Sequence, residues 1–211
     1  CWAWLDDGYR PGERIALYLP NGSEVVDAMA AIALAGGIIV PVSTRLTPDE
    51  VRHIIHDAGV ERIVFDPAHR ELVTALDAER PFVQRVVAGA AEPGEVSFAS
   101  LIAGDSLPPA PPALDPDTDD LVLGYTSGTS GRPKGAIGTH RAMIMTHGYM
   151  NPVEFRMDRF DRILITSPMA HRVGLSRVVN MRCSACSIVI MPRFDPAEAL
   201  ALIERARVSV I

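Results

Sequence analysis

The chain has 211 residues, 48% of them hydrophobic and 22% charged, with a formal net charge of −6. That apolar content lies well above what a disordered chain carries, and the acidic balance argues against broad binding to nucleic acid or anionic lipid. Apolar stretches such as 28–39 are broken by Gly36 and Gly37 and fall short of the roughly 20 residues a membrane span requires. A soluble globular protein with no transmembrane segment is expected.

The first half alternates strand and helix signals. Residues 15–19 form a short apolar run ended by Pro20-Asn21-Gly22, which reads as a strand and a turn. Residues 23–35 carry apolar side chains at 25, 26, 29, 32 and 33, a helical spacing that Gly36 stops. A strand follows at 38–42. Thr47-Pro48-Asp49-Glu50 then offers an N-cap hydroxyl, a proline at the first helical position and a glutamate at the third. That is a capping box, and its helix should run to Gly59. Strands at 62–65 and 85–87 flank a helix at 68–76. This alternation predicts an α/β fold of largely parallel sheets covered by helices on both faces.

Prolines at 108, 109, 111, 112 and 116 cannot donate to a sheet ladder and favour extended geometry. The expected organisation is an α/β half over 1–107, a proline-rich connection over 108–118 and a second half over 119–211. In the second half, 121–125, 136–137 and 163–166 read as strands. Asp195-Pro196-Ala197-Glu198 repeats the cap logic and opens a helix to about Arg207. The chain begins at Cys1 without a methionine and its last residues, 208–211, read as the start of a strand, so a fragment is expected.

Of three cysteines, two sit as Cys183-Ser-Ala-Cys186. Half a zinc site or a redox pair would need partners, and neither a second Cys pair nor a His-x₃₋₅-His run is present. His171 upstream is at most a third ligand. Small buried thiols beside a strand, in a reducing cytoplasmic protein, are the better reading. His53 and His56 share a helix with Asp57; a solvated face is the better reading and metal binding the alternative.

Chemistry concentrates in Tyr125-Thr126-Ser127-Gly128-Thr129-Ser130-Gly131-Arg132-Pro133-Lys134-Gly135. Glycines let successive backbone N–H groups turn toward an anion, hydroxyls add donors, and Lys134 adds a mobile point charge suited to phosphate. No Asp or Glu occurs from 121 to 153, while Arg132, Lys134 and Arg141 do. A polyphosphate is therefore favoured here. The Walker spacing fails, since Pro133 stands where its second glycine belongs, and the dinucleotide G-x-G-x-x-G spacing is also absent. A flexible loop of small residues is the bland alternative.

This run resembles the phosphate-loop signature of the adenylate-forming (AMP-binding) superfamily, which includes acyl- and aryl-CoA synthetases, luciferases and amino-acid adenylation domains. Residues 12–21, 35–42 and 194–210 also resemble segments of that family's large N-terminal domain. The resemblance implies that a carboxylate attacks the α-phosphorus of ATP, releasing pyrophosphate, and that a thiol, usually coenzyme A, then displaces AMP. It implies that Thr126, Ser127, Gly128, Thr129, Ser130, Gly131, Lys134 and Gly135 bind the nucleotide phosphates, with Lys134 and Thr126 as catalytic residues. Magnesium is implied by the triphosphate.

Ser167-Pro168-Met169-Ala170-His171-Arg172-Val173-Gly174 resembles the family's P-x-x-H-x-x-G segment, which lines the carboxylate pocket. His171 and Gly174 are the substrate-pocket residues so implied; a histidine satisfied at a helix start is the alternative. Arg172 departs from the usual small or apolar neighbour, and points either to solvent or to a second anionic group. His140 and Arg141 read as helix-start and packing residues. The expected function is a coenzyme-A ligase for a fatty or aromatic acid, inactive as this fragment alone. A ligase that loads a carrier protein and a non-catalytic nucleotide-binding module are the alternatives. The expected partners are the small-molecule acid, ATP and CoA, with no nucleic acid; a homo-oligomer is left open.

Overall fold

The computed structural model describes residues 8–103, 110–126 and 132–211. In chain order, β1 (Arg14–Tyr18), α1 (Ser23–Leu34), β2 (Ile38–Pro41), α2 (Pro48–Asp57), β3 (Arg62–Phe65), α3 (Arg70–Glu79) and β4 (Gln84–Val87) form the expected alternation. β5 (Val96–Ser97) and α4 (Phe98–Ile102) follow, neither of which stands out in the sequence because each is only one turn or one pair of residues long. β6 (Asp120–Thr126) and β7 (Lys134–Thr139) come next. The helix expected at 68–76 starts later because Asp66 caps a single 3₁₀ turn, Pro67–His69, by accepting from the Ala68 N–H at 2.8 Å.

These strands build one seven-stranded sheet in the order β5-β4-β3-β1-β2-β6-β7. All neighbours are parallel except β6 and β7, which a short connection joins as an antiparallel pair, so the sheet is largely parallel as expected. Strands from both sides of the proline-rich segment share this sheet, since β2 pairs with β6.

Alternation along each strand divides the core in two. Ile15 and Leu17 face α1 with Ile32 and Met29, while Ala16 and Tyr18 face α2 and α3 with Ile54, Ile55 and Leu76. Helices thus cover both faces, as parallel strands require. Between the layers, Arg62 is 1% exposed and donates to Glu13 at 2.8 Å and Gln84 at 3.3 Å, with the Tyr9 ring 5.7 Å away. This buried pair satisfies charge that desolvation would otherwise make costly.

After β7 the chain forms α5 (His140–Met143), a π-helical stretch Ile144–Met150 and α6 (Asn151–Phe155). β8 (Arg162–Ile165), α7 (Arg172–Ser184), β9 (Ser187–Ile190) and α8 (Pro196–Ala206) complete the described chain. β8 and β9 pair in parallel as a second small sheet, and Val210 bridges to Ile163 beside them. Cys186 is buried next to β9 as expected, but Cys183 is exposed on α7, where its sulfur lies beside Gly148 of the π-helical stretch. Among the described residues no helix is long and apolar enough to cross a membrane.

Candidate functional site: a hairpin mouth and a helix start at the carboxyl edge

Open α/β sheets bind ligands beyond the carboxyl ends of their strands. At that edge β6 ends on Thr126 and β7 begins on Lys134, and these two are direct partners across the antiparallel pair. Both are exposed at the mouth of the hairpin. Ser127, Gly128, Thr129, Ser130 and Gly131, the expected nucleotide-binding residues between them, lie outside the described residues. Arg132 and Lys134 have no ion-pair partner among the described residues. Arg141 is different: its guanidinium pairs with Asp117, so it is already spent on a local contact. The positive charge available at the mouth is therefore smaller than the sequence count of three.

Thr139 caps the helix that follows, accepting from the Ala142 N–H at 3.2 Å. His140 opens it, as the sequence predicts, and its N–H donates to Asp119 O at 3.1 Å. Burial holds the His140 imidazole below its usual range, partly offset by Asp119. His147 is buried in the π-helical stretch, its pKa lowered by burial and then by Arg172, and its carbonyl accepts from the Asn180 amide of α7.

The second group stands at the start of α7. His171 is its N-cap residue, exposed, with its N–H donating to Pro168 O at 3.0 Å. Gly174 is buried in the first turn. A Cβ there would lie 2.5 Å from the Met169 Cα, a backbone atom that cannot step aside. The glycine therefore lets the Pro168–Met169 backbone cross the first turn of α7. Arg172 is exposed at the helix start.

A residue outside both motifs ties this group to the large sheet. The Asn21 amide donates to Ser167 O and Met191 O, each at 3.0 Å, and its oxygen accepts from the Met169 N–H at 2.7 Å. In the sequence Asn21 reads only as a turn residue after β1; nothing local reveals partners about 150 positions away. Asn21, Arg45, Thr166, Pro168 and Arg193 line a cavity of about 50 Å³ between the carboxyl ends of β1, β2, β8 and β9. No hydrogen bond or ion pair joins Thr126 or Lys134 to His171 or Gly174 among the described residues.

On α2, His56 and Asp57 are exposed and His53 is half-buried, and two of the three also reach the hairpin: His53 Nε2 lies 3.0 Å from Pro133 O, and Asp57 accepts from the Tyr125 hydroxyl at 2.6 Å. His56 turns the other way, 3.1 Å from Glu79.

A threonine and a lone lysine paired at a strand's carboxyl end fit a polyphosphate. Among the described residues no three His, Cys, Asp or Glu side chains gather as a metal site. Residues 3–211 match the family of AMP-binding enzymes.

The chain belongs to that family. It is 34% identical over 207 residues to a feruloyl-CoA synthase from Amycolatopsis sp, covering 97% of this chain and 39% of the relative. It is similar in structure to a putative long-chain-fatty-acid CoA ligase from Rhodopseudomonas palustris, with a TM-score of 0.89 and 27% identity, covering 97% of this chain and 51% of that one. ATP-bound MatB from the same organism superposes with a TM-score of 0.82 at 27% identity, covering 96% of this chain and 40% of that one. The chain thus spans about 39% of the length of the curated relatives it matches.

Proposed function

We propose that the protein containing this chain activates a fatty or aromatic carboxylic acid with ATP and passes the acyl group to the thiol of coenzyme A. The observation that carries this reading is Lys134, without an ion-pair partner and exposed, directly opposite Thr126 at the carboxyl edge of a largely parallel sheet in a chain of the AMP-binding family. In the first step a carboxylate oxygen attacks the α-phosphorus and pyrophosphate departs. Negative charge grows on the leaving group, where donors already aimed at it lower the barrier. Lys134 and Thr126 supply that role from the described residues; Ser127, Gly128, Thr129, Ser130, Gly131 and Gly135 complete the nucleotide-binding set. Magnesium would accompany the triphosphate, whose oxygens and water suit it, and would help neutralise the phosphates.

His171 and Gly174 are assigned to the acid pocket, with Asn21 holding their loop in place. No Asp or Glu lies between Asp161 and Asp195, whereas His171, Arg172 and Arg177 do. A substrate ammonium buried there would lack a partner, at an effective cost of several kcal/mol. In the full-length protein, ATP–pyrophosphate exchange is expected with fatty or aromatic acids and not with α-amino acids. Exchange with free amino acids would overturn the substrate assignment, and no exchange with any acid would overturn the reading itself.

A further inference from the structure

Helix α2 presents two side chains to the β6–β7 hairpin, one to the end of β6 and one to the residue before β7. His53 and Asp57 are four residues apart and so project from one helix face. His53 Nε2 lies 3.0 Å from the carbonyl oxygen of Pro133. Asp57 accepts from the Tyr125 hydroxyl at 2.6 Å. A carbonyl only accepts, so the His53 Nε2 carries the hydrogen and donates.

We propose that α2 is the seat of the β6–β7 hairpin, with His53 and Asp57 as positioning residues that fix Pro133 and Tyr125 and thereby the place of Lys134. This rests on the reading of the hairpin mouth as the triphosphate site. The Pro133 carbonyl belongs to the same planar peptide unit as the Lys134 N–H, so the bond from His53 fixes the plane from which Lys134 departs. On the other strand, the Tyr125 ring reaches Asp57 by lying over its cross-strand partner Gly135. A Cβ at Gly135 would come within 3.4 Å of Tyr125 Cζ and 2.9 Å of Leu123 Cδ1. Gly135 therefore serves the seat by leaving room for the ring.

Two further facts make the seat more than a surface contact. β7 is the terminal strand of the large sheet and is mostly exposed, so among the described strands only β6 holds it from the side. The helix below is itself rigid, because its other face buries Val51, Ile54 and Ile55 and its start is closed by a capping box. Burial and the Asp57 carboxylate raise the Tyr125 hydroxyl pKa, which keeps its proton available for donation.

The test uses the full-length protein with ATP as the probe. Equilibrium ATP binding and ATP–pyrophosphate exchange are measured for His53→Ala, His53→Gln and Tyr125→Phe beside the unaltered protein, with thermal midpoints as the fold control. Loss of one such hydrogen bond predicts an ATP Kd, and a KM for ATP, raised about three- to tenfold in His53→Ala and Tyr125→Phe, with the KM for the acid unchanged. His53→Gln, whose amide can still donate, should recover most of that loss. If His53→Ala fails to fold, Tyr125→Phe and His53→Gln decide. Unchanged ATP affinity in the folded variants, or an equal rise in both KM values, would overturn the seat. An unaltered protein that binds ATP but exchanges no acid defeats the functional reading alone, and the binding series still judges the seat. No ATP binding at all defeats both.

Discussion

Lys134 is the sole lysine among the 211 residues; the other 19 strong bases are arginines. Several of those arginines are engaged in fixed pairs, Arg62 with Glu13 and Arg141 with Asp117 among them. A planar guanidinium suits such fixed partners, whereas an ammonium on a flexible stem follows a phosphate group as it leaves. Lys134→Ala in the full-length protein should therefore slow adenylation by roughly ten- to a hundredfold, the worth of a charge-assisted contact. Thioester formation from supplied acyl-adenylate should change far less. Equal losses in both half-reactions would remove Lys134 from the pyrophosphate. Asn21 shows the opposite kind of residue, one that touches no reacting group yet bonds three backbone atoms of distant segments.

Among the elements, α2 is the one whose local chemistry and tertiary role meet. Its Thr47 Oγ accepts from the Glu50 N–H at 3.4 Å, and the Glu50 carboxylate accepts from the Thr47 N–H at 2.8 Å, closing the reciprocal box. Both satisfy N–H groups that the first helical turn would otherwise leave without partners. Thr47→Ala should cost about 1 kcal/mol of stability, read as a lowered urea midpoint with an unchanged slope. Thr47→Ser should restore most of it. A midpoint unmoved by Thr47→Ala would mean that burial of Val51, Ile54 and Ile55 alone holds the helix. The segment from His140 to Phe155 behaves differently. Its middle winds as a π-helix and carries His147 inward to meet Asn180, a contact between elements rather than a property of the segment itself.

Across the whole molecule, proton linkage sets an acid limit on stability. Burial lowers the pKa of His69, His140 and His147 from an ordinary 6.5. Below that value the unfolded chain binds more protons at these sites than the folded one, so their contribution is complete above 6.5 and is lost as pH falls. Carboxylates add a second stage. The Thr47 N–H holds Glu50 low, the Arg52 guanidinium holds Glu79 low, and the Ser209 hydroxyl holds Asp161 low, against ordinary values of 4.5, 4.5 and 3.8. Their contribution is present above those values and disappears as pH drops through the depressed ones. The urea midpoint should therefore be highest near neutrality, fall as pH drops below 6.5, and fall further below about 4.5. A midpoint that rises on going from pH 7 to pH 5 would contradict this linkage.

Local chemistry by itself determined the alternating elements through β4, the α2 capping box, the helix opened by Asp195 and the strand-anchored run from Tyr125 to Gly135. Each depends on neighbours within a few residues: apolar spacing, a hydroxyl before a proline, or glycines among donors. The family resemblance was legible for the same reason, because its motif is contiguous. Only the tertiary structure decided that β7 returns antiparallel, that Cys183 faces out, and that Arg141 is consumed by Asp117. It also decided that His53 and Asp57 meet the hairpin and that Asn21 reaches the loop before His171. The side-chain contacts among these join residues from 24 to 170 positions apart. Their existence depends on which strands become neighbours in the sheet, and that order minimises exposed apolar area over the whole chain rather than over any one stretch of it.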